Sequence, residues 1–182
     1  MKKDIIGFYK GTITNQKGTG IEDVYAMTYD ELEKDHYYIQ WIFPLPEKSR
    51  AVPDSPILRQ SDINEFRNSY ELKGKMLKIT LKMLDFYGLK IGEGELKGKI
   101  VKADNFEKRS KEWLTPYNHN FLRLSRIIRS LKIIGSTSDC PSGVTVLSKK
   151  LYDCLCNIYE ENKGIIGPVT KQFWDEAINK DV

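Results

Sequence analysis

The stretch HYYIQWIFPLP, residues 36–46, is the densest run of large apolar and aromatic side chains in the chain, and we call it the aromatic anchor. It is too short to span a membrane. Rings such as those of Tyr38 and Trp41 dominate the energetics of protein cores, and a buried hydroxyl or indole N–H needs a hydrogen-bond partner. We therefore expect other elements to pack around the anchor. The alternative is a shelf on which a ligand stacks its own ring.

The composition predicts one globular domain over residues 1–182. Hydrophobic residues make up 40% of the chain, aromatic residues 11%, and no repeat or low-complexity tract occurs. Such a chain can bury a proper core. The N-terminus has no signal-peptide pattern and no apolar run of about 18 residues occurs, so we expect a cytoplasmic protein without membrane insertion.

The cysteines do not form a recognisable metal or redox motif. Cys140, Cys154 and Cys156 are odd in number, and the last two are spaced Cys-x-Cys. This spacing matches neither a zinc site nor a Cys-x-x-Cys redox pair. We interpret the cysteines as small buried hydrophobes, with a metal or reactive-thiol role as the alternative.

The first half of the chain carries two strong helix signals. Thr28 and Glu31 have the spacing of a capping box, which predicts a helix from about Tyr29 to Trp41 or Ile42, ended by the prolines of the anchor. A longer apolar periodicity predicts one helix over residues 61–84 with a stop at Gly88. Gly74 lies inside this pattern, so we expect a close helix contact or a bend there.

The second half predicts four more helices. Residues 89–101 indicate a polar loop or small hairpin, and helices follow over residues 105–114, 116–134 and 144–158. We expect Asp104 to cap the first of these, Thr115-Pro116 to begin the second, and residues 135–143 to form a loop. The last helix begins at Pro168 and can dock Phe173, Trp174 and Ala177 on the core. The predicted fold is all-α, a single globular domain of six or seven packed helices.

Positive charge is concentrated in one segment. Residues 97–132 contain ten basic and three acidic residues, a local net charge of +7 in a chain of net charge +4. A basic segment on a near-neutral remainder predicts a surface that attracts phosphate or an acidic partner.

Three donor side chains in this segment share one helical face. His119, Arg123 and Arg126 are spaced by four and then three residues, so they project together, and arginine offers a planar fork of donors to phosphate or carboxylate. The alternative is that both arginines pair with acidic residues elsewhere, for example in the cluster at residues 30–35. Arg129 and Lys132 lie on another flank and are expected to be solvated. A further, weaker alternative brings His36 and His119 together as an acid/base or metal pair.

The sequence contains no motif for catalysis. It has no Gly-x-Ser-x-Gly, His-Glu-x-x-His or phosphate-binding-loop pattern. The sequence therefore favours a non-catalytic role without a cofactor or metal, and leaves open an active site of unfamiliar type.

Two segments resemble the conserved domain of opioid growth factor receptors. The first is the aromatic anchor with Ser49, Arg50 and Pro53 after it; the second is NHNFLRLSRIIRSL, residues 118–131, which is similar to the family's His-Asn-x-Leu-Arg-x-x-Arg-Ile stretch. Shorter similarities lie at residues 8–9, 86–88 and 105–109. The resemblance covers nearly the whole chain, which looks like a bare conserved domain of microbial or viral type.

The resemblance implies a binding function. Receptors of this family are linked to the peptide met-enkephalin and to the nucleus, so the resemblance implies a domain that recognises a peptide or protein partner beside the aromatic anchor. The alternative from the residues is a phosphate-bearing ligand, a small nucleotide or nucleic acid, held by the basic face. The candidate ligand-binding residues are His36, Tyr38, Trp41, His119, Arg123 and Arg126.

Overall fold

The structure confirms the all-α class. It is a computed structural model that describes residues 3–135 and 144–180. These residues form ten α-helices and one two-stranded sheet. By their contacts they divide into two compact units, one ending at Ile79 and one beginning at Thr80. Each unit is described by itself, and the single domain over residues 1–182 stays a prediction.

The first unit is built from short helices. They are α1 (Ile5–Lys10), α2 (Ile21–Ala26), α3 (Tyr29–Lys34), α4 (Ile39–Ile42), α5 (Gln60–Asn68) and the beginning of α6 (Tyr70–Phe86). The capping box is confirmed at α3: the Glu31 N–H donates to Thr28 Oγ1 (3.3 Å), and the Thr28 N–H donates to a Glu31 carboxylate oxygen (2.7 Å). Apolar periodicity does not predict α2, which has six residues.

Two predicted helices of this unit are each divided in two. The helix expected from Tyr29 to Trp41 breaks at Asp35, whose backbone is extended and whose carboxylate accepts from the Tyr37 N–H (2.7 Å). The helix expected over residues 61–84 breaks at Ser69, where the Ser69 hydroxyl accepts from the Leu72 N–H (3.2 Å). A polar side chain that bonds to nearby backbone favours a helix end, which explains both breaks. These breaks and α2 bring the number of helices above six or seven.

The core of the first unit contains the aromatic anchor. α1 packs against α4 and α5, and Phe8, Tyr9, Trp41 and Phe66 are buried. The Phe8 and Trp41 ring centroids are 5.2 Å apart, and the Tyr9 and Phe66 rings meet edge to face at 4.8 Å. The anchor therefore packs in the core, as expected.

The second unit begins with the end of α6. Gly88 ends this helix with a φ of 72°, as predicted, and a hairpin follows with β1 (Leu89–Ile91) antiparallel to β2 (Ile100–Lys102). Leu89, Lys90 and Ile91 lie opposite Lys102, Val101 and Ile100. The hairpin confirms one of the two predictions for residues 89–101.

Four helices complete this unit: α7 (Phe106–Trp113), α8 (Asn120–Gly135), α9 (Val144–Glu161) and α10 (Lys163–Asn179). The last three pack on one another, and β2 packs on α9. Four aromatic residues, Tyr87, Trp113, Phe121 and Trp174, form an edge-to-face series with ring centroids 5.5 to 6.4 Å apart. None of the helices in the described residues is long and apolar enough to cross a membrane. Cys140 and residues 136–143 of the loop predicted over 135–143 lie outside the described residues, and Gly135 is the last residue of α8.

Several details of the second unit correct the predictions. α8 begins at Asn120 rather than at Pro116, because Tyr117 takes a left-handed φ of 60° that a helix cannot contain. Asp104 does not cap α7; its carboxylate pairs with Lys90 (2.9 Å). α10 is kinked at Gly167 before Pro168. Trp174 and Ala177 are buried as expected, whereas Phe173 is 43% exposed.

Candidate functional site

The two aromatic candidates of the anchor belong to the core. Tyr38 and Trp41 are both buried. The Tyr38 hydroxyl donates to the Leu32 carbonyl (3.0 Å), and Trp41 Nε1 donates to Gln16 Oε1 (3.0 Å). Burial of both rings with satisfied polar atoms favours the packing interpretation over a ligand shelf. His36 is exposed, in the bend between α3 and α4.

The three candidates on α8 differ in how far they reach the surface. His119 is exposed just before the first residue of the helix, Arg126 is half-buried, and Arg123 is 5% exposed. The Arg123 guanidinium donates to Asn120 Oδ1 (3.3 Å), which also accepts from the Tyr87 hydroxyl (3.3 Å). Asn120 is fully buried. Arg123 is therefore part of an internal hydrogen-bonded cluster, and only His119 and Arg126 offer surface to a ligand.

Asn118 sets the position of this cluster. Its Oδ1 accepts from the Asn120 N–H (2.9 Å) and the Asn120 side-chain amide (3.0 Å), while its Nδ2 donates to Thr115 Oγ1 (2.9 Å) and the Glu112 carbonyl (3.0 Å). These bonds close the turn before α8. Sequence reasoning missed the two asparagines, although an asparagine two residues before a helix, such as Asn118, is typical of an Asx-turn.

Other basic residues of the positive segment are also buried. Arg109 Nε donates to the Phe86 carbonyl (2.8 Å), and its guanidinium lies 5.1 Å from the centre of the Phe86 ring. Arg129 donates to the Lys180 carbonyl (2.5 Å), which also accepts from Lys132 (2.9 Å). Arg129 is 6% exposed, so the prediction that this residue is solvated is wrong. Its guanidinium instead binds a backbone carbonyl just beyond the C-terminal end of α10, where positive charge is favourable. The net charge of +7 is therefore not spread over one open surface.

A polar cluster joins α9 to α10. The Tyr152 hydroxyl donates to Asp175 (2.6 Å), Lys171 contacts both of them, and desolvation together with the hydrogen bond to Asp175 raises the pKa of Tyr152 to about 12. At neutral pH the Tyr152 hydroxyl is therefore protonated and serves as the hydrogen-bond donor to Asp175. Burial likewise raises the pKa of Cys154 to about 11. Within the residues that the structure describes, His, Cys, Asp and Glu form no group able to hold a metal ion.

An open cleft of about 360 Å³ lies in the second unit. Its lining comes from the end of α6 (Leu81, Leu84, Asp85), from all of β1, and from the residues between β2 and α7 (Ala103, Asp104, Asn105). Leu81 and Ile91 expose 41% and 39% of their surface. No single stretch of sequence predicts this cleft, because its lining residues come from three separate segments of the chain.

Residues 2–147 match the family described as "Opioid growth factor receptor (OGFr) conserved region". The chain belongs to this family. The opioid growth factor receptor of Mus musculus is 36% identical over 134 residues, which is 71% of this chain and 21% of the relative. The Homo sapiens receptor is 35% identical over 135 residues, 71% and 19% of the two chains. The opioid growth factor receptor-like protein 1 of Mus musculus is 34% identical over 135 residues, 72% and 28% of the two chains.

The chain thus spans about a fifth to just over a quarter of the length of the relatives it matches. No solved structure matches it. The opioid growth factor receptor conserved region contains the aromatic anchor, the cluster around Asn120 and the cleft, whereas α10 and most of α9 lie beyond it.

Proposed function

We propose that this opioid growth factor receptor-like domain is a non-catalytic binding domain for a peptide or protein partner. The observation that carries the proposal is the cleft of the second unit, where the apolar side chains of Leu81 and Ile91 are exposed beside buried Leu84 and Leu89. An open depression with apolar walls and a few polar groups is typical of a site that binds another molecule. The receptor names of the relatives support a binding role.

The six candidate residues have different roles in this proposal, according to whether they are exposed or buried. His36, His119 and Arg126 reach the surface and can contact a partner, each within its own unit. Tyr38, Trp41 and Arg123 are buried, so their contribution is to hold the surrounding backbone. The cytoplasmic location inferred from the sequence stays a prediction.

Screening of the purified chain against a displayed peptide library, with affinities then measured by calorimetry, tests this function. We expect enrichment of a common peptide class with dissociation constants in the micromolar range, and no competition by nucleotides. The proposal fails if the library yields no peptide that binds in solution.

A phosphate-bearing ligand is the second candidate. It is supported by the +7 charge of residues 97–132 and by the exposed position of His119 before α8. The buried position of Arg123 weighs against it. Thermal-shift measurements with nucleotides and short nucleic acids, at low and high salt, test this candidate by comparing the parent with the double variant Arg126→Ala, His119→Ala. Arg123 is left unchanged, because Arg123→Ala would lower the stability of the protein whether or not a ligand binds. A shift in the parent that the double variant loses would favour this candidate over a peptide.

A further inference from the structure

Lys73 is a buried lysine whose ammonium has no anionic partner within the described residues. It lies on α6 in the first unit and exposes 7% of its surface. Its Nζ is 4.9 Å from the centre of the Tyr70 ring, and no oxygen atom of the described part of the chain accepts a hydrogen bond from it. Nζ itself keeps some accessible surface, so a ligand atom can reach it. Because a buried charge is normally paired, this ammonium is available to an anion from solution.

The ammonium lies at the start of α6. A helical side chain points back toward the N-terminus of its helix, and the contact with Tyr70, the first residue of α6, places Nζ at the first turn. The first N–H groups of a helix have no partner within it. The Ser69 hydroxyl accepts from the Leu72 N–H (3.2 Å), which leaves the N–H groups of Tyr70 and Glu71. Two backbone donors and an ammonium therefore lie at one helix end, where the helix dipole is positive.

This end of α6 is open to solvent and its surroundings are basic. Tyr70 is 75% exposed, and Glu71 is exposed. The Glu71 carboxylate is the acidic group of this turn and pairs with Lys75 one turn further along (2.9 Å), so its charge is partly neutralised. Residues 66–79 contain four basic residues and one acidic residue, a local net charge of +3. Such surroundings favour the binding of an anion.

The donors fit a phosphate better than a carboxylate. Backbone N–H groups at a helix N-terminus, together with a lysine, are typical donors of phosphate sites. A phosphate monoester offers three acceptor oxygens, one for each of the three donors, whereas a carboxylate has two. The exposed ring of Tyr70 also provides a surface on which an aromatic group of the ligand can stack.

We propose that the start of α6 is a binding site for a phosphate monoester that carries an aromatic group. Lys73 and the N–H groups of Tyr70 and Glu71 bind the phosphate, and the Tyr70 ring stacks on the aromatic group. The site goes beyond the proposed function, since it lies in the first unit and the cleft lies in the second.

Titration of the isotope-labelled chain, followed by NMR, tests the site. The probes are inorganic phosphate, adenosine 5′-monophosphate and acetyl-phosphotyrosine-amide. We expect saturable shifts at the amides of Tyr70 and Glu71 with all three probes. Lys73→Met should weaken binding about tenfold, since a charge-assisted hydrogen bond is lost. The same variant should not be less stable without ligand, because methionine fills the buried space without a charge.

Lys78→Met is the matched control for the loss of a lysine. Lys78 also lies on α6 with its Nζ over a tyrosine ring, 3.8 Å from the centre of Tyr25, but it is five residues further along the helix. We expect this variant to bind all three probes as the parent does.

Two substitutions of Tyr70 separate the ring from the backbone donor. Tyr70→Ala removes the ring and keeps the N–H, so it should abolish any preference for the two aromatic probes over inorganic phosphate. Tyr70→Pro removes the N–H as well, and should weaken binding of inorganic phosphate about fivefold relative to Tyr70→Ala. Proline is tolerated at the first position of a helix, and the extended backbone of Ser69 is compatible with a following proline.

The two aromatic probes distinguish a free nucleotide from a phosphorylated protein, and the one that binds more tightly identifies the source. Equal binding of all three probes to the parent would overturn the inference. Equal losses in Lys73→Met and Lys78→Met, or shifts confined to other elements, would also overturn it. So would loss of binding in the double variant Arg126→Ala, His119→Ala, which would assign the phosphate to α8. These results do not bear on peptide binding at the cleft, so the proposed function is tested separately.

Discussion

A glycine within α6 and a glycine at its C-terminal end should respond in opposite directions to the same substitution. Gly88 ends the helix with a φ of 72°, and a Cβ added there would lie 2.8 Å from the Phe106 Cα and 3.0 Å from the Arg109 Cβ. A left-handed backbone costs an L-residue about 1–2 kcal/mol, and overpacking adds about 1–3 kcal/mol. We expect Gly88→Ala to lower the free energy of unfolding by about 2–5 kcal/mol.

Gly74 provides the matched comparison. It lies within α6, is exposed, and has no atom within 4 Å of an added Cβ. Gly74→Ala should therefore raise the free energy of unfolding by about 0.5–1 kcal/mol, because alanine has the higher helix propensity and restricts the unfolded chain. The open space around Gly74 shows that the close helix contact predicted from the sequence is wrong. A gain in stability would also argue against the alternative prediction, a bend at Gly74.

Urea denaturation followed by circular dichroism measures both changes. Gly88→Asn separates the two contributions at Gly88, since asparagine tolerates a positive φ but still carries the colliding Cβ. We expect the free energy of unfolding of Gly88→Asn to lie between that of the parent and that of Gly88→Ala. The reasoning would be refuted if Gly88→Ala unfolded at the same urea concentration as the parent, or if both alanine variants moved in the same direction.

Three other predictions concern buried and strained side chains. Asn120→Ala should cost about 2–3 kcal/mol, since the Tyr87 hydroxyl and the Arg123 guanidinium lose a buried acceptor. Asn120→Asp keeps this acceptor and loses the amide donor to Asn118 Oδ1, so it should cost less than Asn120→Ala. Tyr117 is fully exposed at a φ of 60°, so Tyr117→Asn should raise the free energy of unfolding by about 0.5 kcal/mol and Tyr117→Val should lower it by about 1 kcal/mol in thermal unfolding. Burial raises the pKa of Cys154 from 9.0 to about 11, so the folded state keeps its proton longer than the unfolded state, and the free energy of unfolding should decline between these pH values.

Each of these predictions has a contrary result. Equal losses for Asn120→Ala and Asn120→Asp would show that the acceptor oxygen is unimportant. The backbone explanation at Tyr117 fails if the valine variant is the most stable of the three. For Cys154, the pH-dependent decline should become shallower in Cys154→Ala, and an unchanged decline would assign it to other groups.

The sequence correctly predicted those helix ends that depend on interactions between residues close together in the chain. The capping box of Thr28 and Glu31 and the stop at Gly88 depend on near neighbours, and both are present in the structure. The breaks at Asp35 and Ser69 were not predicted, because apolar residues continue at helical spacing on both sides of each break. There, a short polar side chain that bonds to the backbone outweighs periodicity.

The candidate site was less predictable, because burial is decided by packing. Counting charges shows that residues 97–132 are basic, but only the fold shows that Arg109, Arg123 and Arg129 are turned inward onto carbonyl and amide oxygens. The cleft escaped prediction for a related reason. Leu81 and Asn105 are far apart in sequence, and the hairpin between them brings them to one depression.

The positions of the three tryptophans allow intrinsic fluorescence to report on each of the two units separately. Trp41 is buried in the first unit, and Trp113 and Trp174 are buried in the second. In Trp41→Phe the remaining tryptophans lie in the second unit, so tryptophan fluorescence reports the unfolding of that unit alone. In the double variant Trp113→Phe, Trp174→Phe, only Trp41 remains, so the fluorescence reports the first unit. Superimposable fluorescence transitions in the two proteins would mean that the units melt as one cooperative body, and separate transitions would give the stability of each.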